Sequence, residues 1–219
     1  MTSGARVQPQ PASTARAGAR VAPALPAGVR EKLSAYLDLL AKWNRVYNLT
    51  AIRDRAQMQS HHIDDALAIL PYLPDARGTR VLDVGSGGGI PGIPLAIARP
   101  DWRVVLLDAN GKKAAFLTQA AIELGLANVR AVASRVEDYA PDERFDIVIS
   151  RAFSDLRTFA EAAAKHVGAG GIIVAMKGAF PRDEIDALPE RIEVIATPSL
   201  DVPDLDAERH LVLMRAAPA

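Results

Sequence analysis

Two hydrophobic periodicities follow one another along the chain. Between Glu31 and about Tyr47, Leu33, Tyr36, Leu37, Leu40 and Trp43 recur at helical spacing while Glu31, Lys32, Asp38 and Lys42 fall elsewhere, which predicts an amphipathic helix. A second helix is expected from Met58 to Leu70, ended by Pro71. From Arg80 the pattern changes to short apolar runs. Arg80 to Val84, Val104 to Asp108, Asn128 to Ala133, Phe145 to Ser150 and Ile172 to Met176 read as buried strands. Helices are expected between them: around Pro91 and Pro94 up to Pro100, from Lys112 to Leu124 with Gly125 as C-terminal cap, and from Asp155 to Val167 before Gly168, Gly170 and Gly171. Arg191 to Thr197 and His210 to Met214 read as a closing pair of strands. Strands alternating with helices imply an α/β fold, a doubly wound and mostly parallel sheet of seven strands behind a helical extension. The expected divisions are a tail over residues 1–28, the helical extension over 29–76 and the sheet domain over 77–219.

Composition narrows this picture in three ways. The tail is rich in Ala, Pro, Arg and Ser without apolar periodicity, so it is expected to be disordered. It lacks the apolar core of a secretory signal, and its acid-free, Arg-bearing make-up resembles a transit peptide only faintly, so a flexible tail is the preferred reading. Net charge is zero overall, yet residues 1–30 carry +4 and the remainder −4, which argues against broad, non-specific nucleic-acid binding while leaving room for a local basic patch. There is no cysteine, which excludes disulfides, Cys-ligated zinc or iron–sulfur centres, and mechanisms that add a Cys thiolate to a pyrimidine ring. No apolar run reaches the ~20 residues that span a bilayer, so the expectation is a cytoplasmic protein with no membrane partner. A monomer is expected.

The chemistry is written first in Asp83-Val84-Gly85-Ser86-Gly87-Gly88-Gly89-Ile90, a glycine turn between a strand and a helix. Such a turn lets backbone approach a nucleotide-like ligand, with amides at a helix N-terminus. The dinucleotide fingerprint wants glycine at the sixth place, where Ile90 stands. Asp83 precedes the turn, and Asp108 ends the next strand, placed to accept from both ribose hydroxyls. The ordered set of Asp83, Gly85, Gly87, Ile90 and Asp108 points to S-adenosylmethionine ahead of NAD. The segment Ser134-Arg135-Val136-Glu137-Asp138 reads equally as an adenine-contacting loop or as a loop with a charged helix start.

The acceptor side lies at the carboxyl ends of the later strands. Ser150-Arg151-Ala152-Phe153 stands where methyltransferases acting on exocyclic amines carry an Asn/Asp-Pro-Pro-aromatic run, and that run is absent. An acceptor that is already nucleophilic, such as guanine N7, needs orientation rather than a general base. Arg151 is placed to engage guanine or a cofactor carboxylate, and Phe153 to stack a base, against the plainer alternatives of a surface ion pair and a core ring. Lys177 and Arg209 reach the same rim, placed to meet phosphates. In His61-His62-Ile63-Asp64-Asp65 a metal pair lacks two further ligands, so no metal is expected and a hydrogen bond between His62 and Asp65 is preferred.

Several longer runs go beyond the generic pattern: Lys42-Trp43-Asn44-Arg45-Val46-Tyr47-Asn48-Leu49-Thr50, His62-Ile63-Asp64-Asp65, Asp83 through Leu95, Ser134-Arg135-Val136-Glu137, Ile149 through Phe153, Lys177-Gly178 and Glu208 through Val212. Through them the chain resembles the bacterial family of small-subunit ribosomal RNA guanine-N7 methyltransferases, the glucose-inhibited division protein B family, over residues 30 to 216. The resemblance implies a Rossmann-like class I methyltransferase domain. It implies S-adenosylmethionine bound at Gly85, Ile90, Val136, Glu137 and Arg151, and methyl transfer to N7 of one guanine of 16S ribosomal RNA in the small subunit. Gly88 stands where relatives often have proline, which is expected to loosen the turn slightly. The competing readings are a small-molecule or protein methyltransferase of the same fold, and an RNA-binding factor that holds the cofactor without catalysis.

Overall fold

A computed structural model of the chain describes residues 25–151, 153 and 155–217; most of the expected tail, residues 1–24, lies outside them. The first helix, α1 (Ala27–Tyr47), begins one residue before the expected end of the tail. Pro26 fixes φ at −54° and its carbonyl accepts from the amides of Val29 and Arg30, which starts the helix there. The helix buries Leu33, Tyr36, Leu37, Leu40 and Asn44 and ends at Asn48 in the left-handed region, φ 48°. Asn44 is the polar residue on this buried face: its Oδ1 accepts from the Thr50 amide at 2.9 Å, folding the following loop back on the helix.

The expected second helix is broken into three. α2 (Arg55–Met58) is capped by the Asp54 carboxylate, Gln59–Asp64 is π-helical, and α3 (Asp65–Leu67) resumes ordinary geometry. A short 3-10 turn, Leu70–Tyr72, follows, with Pro71 inside it and not after it. Periodicity hides the π turn because its extra residue is absorbed locally, so the segments on either side still read as one helix.

The sheet follows with β1 (Arg80–Val84), β2 (Arg103–Asp108), β3 (Val129–Ala133), β4 (Phe145–Ser150), β5 (Val167–Lys177), β6 (Ile192–Ala196) and β7 (His210–Ala216). Their spatial order is β3-β2-β1-β4-β5-β7-β6; the first five are parallel, and β7 runs antiparallel between β5 and β6. Strand residues alternate between two cores. Val81, Ile147, Ile149, Ile172 and Val174 pack with α1, the 55–67 helical run, α4 (Gly92–Ala98) and α5 (Gly111–Glu123). Leu82, Val148, Ile173 and Met214 pack with α6 (Leu156–Ala163) on the other face. This two-sided burial is why the runs read as continuously apolar.

Two stretches depart from the sequence expectation. β5 takes in Val167, expected to end a helix, and Gly168, Gly170 and Gly171 after it, and a bulge sets Ile172 opposite Ile147 while Val167 stays opposite Phe145. Gly171 is required there, since a Cβ would lie 2.9 Å from the Asp146 carbonyl oxygen. A further helix, α7 (Arg182–Asp186), has no apolar periodicity and was not expected. Among the described residues no helix is long and apolar enough to cross a membrane.

Because β7 is antiparallel, its first residue shares an edge with the last residues of the parallel strands: Lys177 pairs with His210. That edge gathers Gly85, Asp108, Ser134, Arg151, Lys177 and Arg209. Ser150 Oγ donates to the Val84 carbonyl at 2.8 Å and fixes β4 to β1 there. The helical segment is fastened to the same edge. The buried Tyr36 hydroxyl donates to the Gly88 carbonyl at 2.6 Å, and burial holds its phenol protonated far above the usual range. Tyr36→Phe removes this donor and leaves a buried carbonyl short of a partner, so unfolding in urea should show a loss of about 1–3 kcal/mol.

Candidate active site

The glycine turn is built by local hydrogen bonding. Gly85, Gly87 and Gly89 have φ of 71°, 57° and 88°, conformations that favour glycine. The amides of Gly85 and Ser86 donate to the Leu107 carbonyl, those of Gly89 and Ile90 to the Ser86 carbonyl, and that of Gly87 to Asp108 Oδ2 at 2.8 Å. These donors are therefore engaged within the protein, and the turn offers a ligand mainly its bare surface: a Cβ at Gly85 would meet nothing within 4 Å. The sequence expectation of free amides is corrected to that extent.

The two aspartates differ. Asp83 is fully buried; Oδ2 accepts from the Gly92 amide at 3.0 Å, and Oδ1 has no hydrogen-bond partner. Burial pushes its carboxyl up to about 7, against the lowering effect of the Gly92 amide. A Cβ at Gly92 would lie 2.7 Å from Asp83 Oδ2, so glycine is needed for this approach. Asp108 is 7% exposed, and its two oxygens accept from the amides of Gly87 and Asn110, both at 2.8 Å. It thus organises the turn directly, and only its remaining lone pairs are left for ribose hydroxyls.

A cleft of about 530 Å³ opens beside the turn. Gly85, Ser86, Gly87, Gly88 and Ile90 form one wall, Leu49 to Ile52 with His61, His62 and Asp65 a second, and Arg151, Met176, Lys177, Gly178 and Arg209 a third. The structure thus brings Gly85, Gly87, Ile90, Arg151, Lys177 and Arg209 together. Asp83 lies beneath the turn, while Asp108, Val136 and Glu137 stand outside the lining, along the edge towards β3. Val136 is buried and its carbonyl accepts from His166 Nε2 at 2.8 Å; Glu137 is exposed.

Where the second wall meets the third, a carboxylate lies between two guanidinium groups. Asp65, 1% exposed, meets Arg151 at 3.4 Å through Oδ2 and Arg209 at 3.2 Å through Oδ1. Burial raises its pKa, opposed by the charges of Arg151 and Arg209. Arg151 also donates to the His61 carbonyl at 2.7 Å. His62 does not bond Asp65, contrary to the sequence expectation. Its Nε2 pairs with Thr50 Oγ1 at 2.9 Å, and Arg151 approaches Nδ1 at 3.5 Å. Burial, and then the Arg151 charge, lower the His62 pKa to about 4. A neutral ring accepting from Arg151 at Nδ1 would carry its proton on Nε2, towards Thr50.

Lys177 lines the cleft with its ammonium 2.7 Å from Glu184 Oε2 on α7, the same oxygen that accepts from the Leu156 amide. This engagement stands in place of a free phosphate-binding cation. Phe153 packs against Phe159, ring centroids 5.4 Å apart, and belongs to the core beneath α6, the plainer of its two readings. Sequence reasoning missed the roles of Tyr36, Thr50, Asp65 and Glu184. The only signals were a polar Asn44 on an apolar helix face and the His62-x-x-Asp65 spacing.

The family description "rRNA small subunit methyltransferase G" matches residues 29–212. The chain is 54% identical over 177 residues to the ribosomal RNA small subunit methyltransferase G of Laribacter hongkongensis, covering 81% of this chain and 84% of that one. It is 56% identical over 187 residues to the protein of the same name from Burkholderia ambifaria, covering 84% and 82%. A SAM-dependent methyltransferase of Aquifex aeolicus shares the fold at a TM-score of 0.56 and 18% identity, over 80% of this chain and 97% of that one.

Two outcomes follow from the buried charges. Between pH 6.5 and 4 the unfolded His62 takes up a proton that the folded one refuses, so its contribution to stability is present above 6.5 and lost as pH falls. Asp83 acts with opposite sign between about 7 and 3.8, so the readable quantity is a difference. Relative to His62→Gln, the wild type should lose roughly 3 kcal/mol of unfolding free energy across that window, measured by denaturant titration at each pH. Asp65→Asn leaves two guanidinium groups facing each other without a counter-charge and should cost about 2–4 kcal/mol in the same assay at pH 7.

Proposed function

The chain belongs to the rRNA small subunit methyltransferase G family, and from that premise we propose that it transfers the methyl group of S-adenosylmethionine to N7 of a guanine in 16S ribosomal RNA. The observation that carries the choice of acceptor is the state of the cleft's basic groups. Asp65, the carboxylate of the lining, is held between Arg151 and Arg209, and His62 lies between Thr50 and Arg151; His61 is tied to the Gln57 carbonyl through Nδ1 alone. An acceptor that needs no carboxylate to take its proton fits such a cleft, and N7 carries an in-plane lone pair and no proton to lose.

The residues present suit the cofactor. The Cβ-free wall at Gly85 and Gly87 admits close approach, and the buried, unpartnered Asp83 Oδ1 lies under it. Gly85, Gly87, Ile90 and Asp108 would hold its ribose and methionine portions, Val136 and Glu137 its adenine, and Arg151 its carboxylate. When bound, S-adenosylmethionine supplies an electrophilic methyl on a sulfonium. The protein's part is then positional. Arg151, held by Asp65 and the His61 carbonyl, presents a fixed guanidinium at the end of β4. Arg209, held by the same carboxylate, faces the acceptor from the start of β7. The helical segment closes one wall of the cleft through Thr50 and His62. We place this activity in the cytoplasm, on the small subunit, with the protein acting as a monomer.

The test supplies purified protein with methyl-labelled S-adenosylmethionine and 30S subunits from a strain lacking the enzyme. Label is expected in 16S RNA as 7-methylguanosine; label only in protein or metabolites would overturn the assignment. Arg151→Ala should lower kcat/KM by about 100-fold, the scale of a lost positioning contact. Asp108→Ala should weaken S-adenosylhomocysteine binding about 10-fold or more in calorimetry, as the turn loses a charge-assisted hydrogen bond.

A further inference from the structure

We propose that Phe180, on the loop between β5 and α7, is the platform on which an unpaired RNA base beside the target nucleotide stacks. The inference rests on the RNA reading above and names a part of the acceptor site that the reading leaves open.

Phe180 is 39% exposed and belongs to neither core. It follows two residues after Gly178, a lining residue of the cleft, so the ring stands at the lip. Its position is set. His210 Nδ1 bonds the Gly178 carbonyl at 2.9 Å, His210 meets the Phe180 ring edge-on at 5.6 Å between centroids, and the Arg182 guanidinium lies 5.5 Å from the ring centroid. A partly exposed ring held in place by two neighbours is well suited to a stacking partner.

Topology gives the side of approach. The proposed cofactor residues run along the edge from β1 to β3, so an acceptor reaches the cleft across β4, β5 and β7, where Phe180 stands. Tyr47, another exposed aromatic, is backed by Trp43 against Phe116 on α5, on the cofactor's side. The charges agree with a polyanion: Arg182 lies against the ring, and Glu184 is paired with Lys177. Stacking on an aromatic ring tolerates any base, so Phe180 would hold the strand and leave the choice of base to the cleft.

Full-length protein is assayed on 30S subunits lacking the methyl group, with KM for subunits, KM for S-adenosylmethionine and the thermal midpoint read separately. Phe180→Ala should raise the KM for subunits by between about 5-fold and 150-fold, the span of base–aromatic stacking. Its cofactor KM and midpoint should match the wild type, and Phe180→Trp should restore the subunit KM. Arg182→Gln should reduce the slope of log(kcat/KM) against log salt by about 0.7, one phosphate contact on a single strand. An unchanged subunit KM in Phe180→Ala overturns the platform, as does equal impairment in Phe180→Trp or a parallel loss of cofactor binding. A wild type that leaves the subunits unlabelled sinks the RNA reading instead.

Discussion

A carboxylate taken out of water must be given positive charge, and in this molecule that requirement joins the parts that make the cleft. Asp65 comes from the helical segment that precedes the sheet; Arg151 comes from the end of β4 and Arg209 from the residue before β7. β5 lies between those two strands, so the bridge spans it from above. Either guanidinium alone would leave one carboxylate oxygen uncompensated, and the carboxylate alone would give up its proton poorly. The docked helical segment therefore ties the end of β4 to the start of β7. In return it fixes both cations. Arg151 gains a third tie from the His61 carbonyl, and the wall that closes the cofactor's side becomes one connected set of bonds running through His62 and Thr50 to Asn44.

The second fastening is made at the glycine turn. Tyr36 holds the Gly88 carbonyl, Asp108 the Gly87 amide and Asp83 the Gly92 amide. The turn is thus gripped from the helical segment and from two strands. At Gly88, where a looser turn was expected, Leu40 stands 3.1 Å from where a Cβ would be, and the carbonyl accepts from Tyr36.

What could be read from the sequence divides along physical lines. The strands were legible because a sheet covered on both faces demands unbroken apolar runs, and Arg80 to Val84 and Phe145 to Ser150 were located to the residue. The placing of Arg151, Lys177 and Arg209 at one rim was legible because topology alone carries strand ends to a common edge. Partners were not. Nothing in the spacing says that Lys177 meets Glu184, seven residues on, or that Asp65 reaches residues 86 and 144 positions away. Such pairs depend on how whole elements pack. The tightening of Asp108 onto Gly87, and the entry of Gly168 to Gly171 into β5, were hidden for the same reason: each is a backbone contact between segments that the residue types leave open.

The π-helical turn over Gln59–Asp64 carries one residue more than an α-helical path would use, and the Asp65 amide accordingly reaches back to the Ser60 carbonyl. Such a bulge takes up its extra residue locally, so α3 leaves it in nearly the phase that an unbroken helix would have given. Deleting one residue and closing a regular helix would therefore leave Asp65 facing much the same way. The loss would fall on the turn itself, where His61 offers its carbonyl to Arg151 and His62 reaches Thr50. The length of this segment, quite apart from its composition, thus sets the shape of the cleft's wall.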